Sequence, residues 1–157
     1  MQQSDRVLGW EVREELREAF GIHYSDKRST RSKLEARWQN VNFGDLTEED
    51  EAWKSDERET LDDVERRIDY FLKWLSWNST RTNKNSKSCA TLIVSHGVWM
   101  ECLLRKYCPS LMEGGTRRVY NCDIVRVVLR GQWDLIGANW NCRSLEVQNP
   151  SFINNTK

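Results

Sequence analysis

From Ala90 to Val94 the chain reads Ala-Thr-Leu-Ile-Val, meets Ser95-His96-Gly97, and continues into an amphipathic stretch from Val98 to Tyr107 that Pro109 closes. Few architectures accept that order. A short apolar run rich in β-branched residues is typical of a strand covered on both faces. A strand that turns tightly into a helix is half of a parallel-sheet unit. The pattern predicts an α/β chain, and 157 residues leave room for one domain and one core.

The same junction is the most informative candidate site. A buried parallel strand delivers its last residues to the carboxyl edge of the sheet, where open α/β folds place ligands. The next helix begins at about Val98, so its unpaired backbone N–H groups and positive dipole end point into that space. An imidazole at His96, a backbone at Gly97 able to turn sharply, and free amides together describe an anion site, with phosphate the natural occupant. The bland alternative is a histidine that ends a strand and bonds a neighbouring carbonyl.

The clearest helix lies upstream. Thr60 and Asp63 form a capping pair, and Leu61, Val64, Ile68, Leu72 and Leu75 make one apolar face. Residues 78–88 are polar and read as a surface loop that ends it. Residues 6–20 fit a helix through Val12, Leu16 and Phe20, or a short strand ended by Val12-Arg13-Glu14, with Gly21 stopping either. Residues 22–42 read mainly as loop with one helical turn, and the acidic run 45–59 as a solvated connection. Cys122 to Leu129 and Trp133 to Gly137 suggest a hairpin about Arg130-Gly131-Gln132. The domain is expected over 1–148, with a polar tail over 149–157.

Composition narrows the function. Lys plus Arg equals Asp plus Glu at 24 each, which favours neither nucleic acid nor an anionic membrane as partner. No apolar run approaches the ~20 residues that cross a bilayer, and the first residues lack a signal-peptide core. Five cysteines without Cys-x-x-Cys spacing read as reduced thiols, which points to the cytoplasm or nucleus. No His/Cys/Asp cluster has ligand spacing, so neither a metal nor another cofactor is expected.

Other candidates are weak singly: Glu18 in Leu16-Arg17-Glu18, His23, and Arg28 in Asp26-Lys27-Arg28, where an arginine fork suits phosphate oxygens. Their order is informative. Leu-Arg-Glu, Gly21, His23, Asp-Lys-Arg, an acidic Trp-containing stretch with Arg58-Glu59-Thr60, Arg67, and then Ile-Val-Ser-His-Gly follow one another along the chain. From about Leu16 to Leu129 the sequence resembles the histidine phosphatase superfamily, in its phosphoglycerate-mutase-like fungal and plant form.

That resemblance implies a three-layer sandwich around a mostly parallel sheet. It also implies a small phosphorylated substrate, and phosphomonoester hydrolysis or phosphoryl transfer through a phosphohistidine. By motif match Glu18 is the proton donor and His96 the second, charge-stabilising histidine. Arg17, His23, Arg28 and Gly97 are substrate-binding candidates. The family's nucleophile sits in an Arg-His-Gly motif that ends its first, central strand, and the two histidines here, His23 and His96, do not supply it. That strand is expected to precede Met1, which would leave the sheet incomplete at its centre, the fold marginally stable and catalysis by this chain impaired. Two other readings stand beside this one. In the first, the chain is a non-catalytic phosphate- or partner-binding remnant of the fold. In the second, Ser-His-Gly is only a turn and the 8 tryptophans mark a protein interface. Oligomeric state is not legible in the sequence.

Overall fold

A computed structural model of the chain describes residues 9–82, 91–109, 127–133 and 140–147. Its elements are strand β1 (Trp10–Glu11), a 3₁₀ turn at Glu14–Leu16, another at Tyr24–Asp26, helix α1 (Arg31–Arg37), strand β2 (Val41–Asn42), helix α2 (Leu61–Thr82), helix α3 (Gly97–Tyr107) and strands β3 (Val127–Trp133) and β4 (Trp140–Val147). β1 pairs parallel with β2, and β3 pairs antiparallel with β4. Helices and a small parallel sheet make this an α/β chain.

α2 starts where its cap says it should. Asp63 N donates to Thr60 Oγ1 at 3.2 Å while Thr60 N donates back to Asp63 Oδ2 at 3.1 Å, a reciprocal box that satisfies donors otherwise orphaned at a helix start. Val64, Ile68, Phe71 and Leu72 are buried along one stripe, whereas Leu61 in the first turn is exposed, ahead of the point where the helix meets the core. The helix also runs on through Thr82 rather than stopping at Asn78. Once an apolar face is anchored, each further residue adds one backbone bond, so a polar stretch extends the helix.

α3 packs on α2. Trp99, Cys102, Leu103, Leu104 and Cys108 join the α2 residues and Ala19 in one core, with Leu16 and Ile93 against its edge. Phe71 meets the Trp99 ring edge-on at 5.9 Å, and Trp99 Nε1 donates to Glu15 O at 2.7 Å, so this buried indole has the partner it needs.

Of the strand expected over 90–94, the described residues 91–94 are in no regular element. Among the described residues no backbone partner faces them, and β-branched composition alone does not make a strand without a ladder. Leu92 and Val94 are consequently exposed while Ile93 packs inward. The two readings of residues 6–20 resolve towards the strand. β1 is two residues long, Val12 N donates to Asn42 O, and the helical spacing of Val12, Leu16 and Phe20 goes unused. The hairpin expected about Arg130-Gly131-Gln132 is not the one that forms: β3 runs through those residues, with a register irregularity between Arg130 and Gly131, and its antiparallel partner is β4. A glycine within a strand marks a bulge as readily as a turn. Residues 83–88, Cys122 to Arg126 and the tail from Asn149 lie outside the described residues.

Ile68 is fully buried between α2 and α3. Ile68→Ala is expected to cost ~2–5 kcal/mol in urea unfolding. A loss under ~1 kcal/mol would mean that this helix pair does not hold the fold.

Candidate functional site

His96 is the N-cap residue of α3, with extended backbone, and its side chain makes no cap hydrogen bond. The cap comes from elsewhere. Glu18 Oε2 accepts from Val98 N at 3.3 Å, while Glu18 Oε1 accepts from Ala19 N at 2.8 Å. A carboxylate from a segment 80 residues away thus occupies the anion-favouring end of the helix. Ser95 Oγ donates to Leu16 O at 2.7 Å, which sews the entry of α3 to the same segment. His96 and Gly97 lie between these two ties, with His96 exposed and Gly97 partly buried. Glu18, His96 and Gly97 are therefore brought to one place.

Arg17 and Arg28 are near in sequence but otherwise engaged. Arg17 donates through Nη1 and Nη2 to Asp50 Oδ1 and Oδ2, both at 2.8 Å, and through Nη1 to Glu14 at 2.9 Å. Arg28 holds the carbonyls of Ser29, Thr47 and Glu49, and its Nε lies 2.6 Å from Glu14 Oε1. Their charges are answered by protein carboxylates. His23 is exposed beyond a tight turn in which His23 N donates to Gly21 O at 2.7 Å. That turn puts Ile22 at φ 64°, costly for a β-branched residue. Gly21 itself sits at φ 100°, and a Cβ there would collide with the carbonyl of Glu57. Packing of 54–59 against 20–22 holds the turn, for Ile22 N donates to Lys54 O and Glu59 N to Phe20 O.

Asp50 is the residue that sequence reasoning missed. It belongs to the acidic run expected to be solvated, yet it is 8% exposed and also accepts from the amides of Arg28 and Trp53. Burial pushes its carboxyl up, but the Arg17 guanidinium and the two amides outweigh that and hold it below the ordinary carboxylate range. One Asp among many acids carries no sequence signal for this. Glu59 likewise is not solvated but pairs with Arg67.

An open cleft of about 480 Å³ is lined by Phe20, Glu59, Asp63, Arg67 and Tyr70 among others, and by neither Glu18 nor His96. Its cations are already paired, Arg67 with Glu59, Arg66 with Asp63 and Lys54 with Glu57. Chemistry at the mouth of α3 has the stronger claim. No group of three or more His, Cys, Asp or Glu side chains suited to a metal occurs among the described residues.

A carboxylate, an imidazole and helix-end amides are thus joined from the Leu-Arg-Glu and Ser-His-Gly segments. Residues 2–141 match the histidine phosphatase superfamily (branch 1), and the chain belongs to it. Among similar proteins, a phosphoglycerate mutase-like protein of Arabidopsis thaliana is 30% identical over 118 residues, covering 72% of this chain and 41% of the relative. Phosphoglycerate mutase-like protein 1 of the same plant is 38% identical over 121 residues, covering 74% and 40%. The chain thus spans about two fifths of the length of these relatives. No solved structure matches it significantly.

The depressed Asp50 carboxyl gives a signed prediction. Its contribution is present above the unfolded value of ~3.9 and is lost as pH falls through the lower folded value. Asp50→Asn leaves Glu14 as the remaining counter-ion of the largely buried Arg17 and is expected to cost ~1–3 kcal/mol at pH 7. The gap to wild type should close below about pH 4, as unfolding curves at stepped pH would record. A gap constant down to pH 2 would contradict the assignment.

Proposed function

We propose that this chain carries the proton donor and the anion-binding end of a phosphohistidine-type phosphoryl-transfer site acting on a small phosphomonoester. Glu18 is the acid, His96 the second histidine, and Gly97 with the first amides of α3 the cradle for equatorial oxygens. The observation that carries the reading is the hydrogen bond from Val98 N to Glu18 Oε2, which joins two segments distant in sequence. Superfamily membership supports phosphatase or mutase-like chemistry.

The division of labour follows from the chemistry. A histidine nitrogen attacks phosphorus as the bond to the leaving oxygen breaks, and the Glu18 carboxyl group, having taken up a proton with the incoming phosphomonoester, gives that proton to the leaving oxygen. The imidazole N–H of His96 and the helix amides neutralise charge on the oxygens that stay, the main task in phosphoryl transfer. Neither His96 nor His23 stands in an Arg-His-Gly sequence, so the 157 residues alone bind the anion without turnover. Arg17 and Arg28, held by Asp50 and Glu14, brace the segment rather than grip the substrate. The same reading places these elements in a three-layer sandwich around a mostly parallel sheet, supported by the parallel β1–β2 pair.

Because the Glu18 carboxylate sits on an amide that phosphate would use, the two negative charges compete. Inorganic phosphate titrated calorimetrically at pH 7 should bind wild type and bind His96→Ala at least ~10-fold more weakly, about 1.4 kcal/mol. Glu18→Gln should bind it several-fold more tightly. Hydrolysis of p-nitrophenyl phosphate should not exceed the buffer rate. Equal affinity in wild type and His96→Ala, or no binding at all, would overturn the site.

A further inference from the structure

The geometry points to Arg67 as the positioning residue that sets the Glu18 carboxylate at the mouth of α3, an inference that rests on the reading of Glu18 as the site's acid. Arg67 projects from α2, is 17% exposed, and is locked by Glu59, itself 5% exposed, through Nε–Oε1 at 2.5 Å and Nη2–Oε2 at 2.7 Å. A fork held in this way has its remaining N–H groups aimed in one direction. They meet the backbone of the acid-bearing segment. Nη1 donates to Glu15 O at 2.8 Å, Arg17 O at 3.2 Å and Glu14 O at 3.4 Å, and Nη2 donates to Glu18 O at 3.4 Å.

Glu18 is thereby held from both sides. Its carbonyl faces α2 through Arg67, and its carboxylate faces α3 through Val98 N. Residues 17 to 22 contain no regular element that could fix its position independently. A lysine offers one point charge and cannot bridge Glu59 and four carbonyls at once. Glu59 is the orienting partner: without it the fork is free to rotate, and the buried charge loses its counterion.

The Val98 amide signal in the ¹⁵N–¹H spectrum of the whole 157-residue chain reads this placement directly, and Glu18→Ala fixes where that signal lies without its acceptor. Arg67→Gln and Glu59→Gln should move it most of the way to the Glu18→Ala position, and Arg67→Lys part of the way, with α2 and α3 signals retained. A Val98 signal left at its wild-type position in folded Arg67→Gln overturns the proposal. Should neither that variant nor Glu59→Gln fold, Arg67→Lys decides by the same criterion, a shifted signal supporting the proposal and an unmoved one overturning it. Phosphate that perturbs neither Val98 nor His96 in wild type would sink the anion site, yet would leave the Arg67 result as read.

Discussion

The segment from Glu14 to Ala19 is a single 3₁₀ turn followed by three irregular residues, and its backbone carbonyls cannot all be satisfied locally. Side chains satisfy them instead. Arg67 of α2 takes the carbonyls of Glu14, Glu15, Arg17 and Glu18, Trp99 of α3 takes a second bond to Glu15, and Ser95 takes Leu16. A buried carbonyl left unpaired costs ~1–3 kcal/mol, so these donors determine whether the segment has a fixed place at all. Leu16 and Ala19 then plug the core between the helices while Arg17 and Glu18 stay on the polar side. Without the donors the two helices could still pack, but the chain between them would lose most of the bonds that fix its backbone.

On the proposed reading, stability and function meet at Glu18. As a cap on α3 its carboxylate belongs to a class of interaction worth ~1 kcal/mol, and it sits on a dipole end that favours negative charge. An anionic ligand wants the same amide and the same dipole. Whatever binds there must share or displace the carboxylate, so affinity is set by competition within the protein and not by the cradle alone. Functional sites often carry such local conflicts, compensated by the surrounding structure.

Some of this was legible in the sequence and some was not, for physical reasons. The Thr60–Asp63 box and the Val64-Ile68-Leu72 stripe are local signals, and the helix formed around them. The entry of α3 near Val98 was legible for the same reason, whereas Gly21, at φ 100°, ends no element: β1 stops at Glu11 and the first 3₁₀ turn at Leu16. The strand at 90–94 was misread because its residues suit a pleated surface, while a strand also needs a neighbour, which composition does not reveal. Asp50 and Arg67 were invisible as anchors. Asp50 lies 33 residues from Arg17 and Arg67 about 50 from the 14–18 segment, and nothing in a charged stretch distinguishes a residue that will be buried from one that will stay in water. Leu-Arg-Glu and Ser-His-Gly stood out as motifs, whereas the bond between them belongs to tertiary structure.

Crystals of the whole chain soaked with orthovanadate, a phosphate mimic with the same oxygen geometry, would test the shared site most directly. The expected result is one oxyanion at the mouth of α3, within hydrogen-bond distance of the His96 ring, the Gly97 or Val98 amide and the Glu18 carboxyl group. An anion bound at another place, with Glu18 still accepting from Val98 and the α3 mouth empty at saturating vanadate, would contradict it.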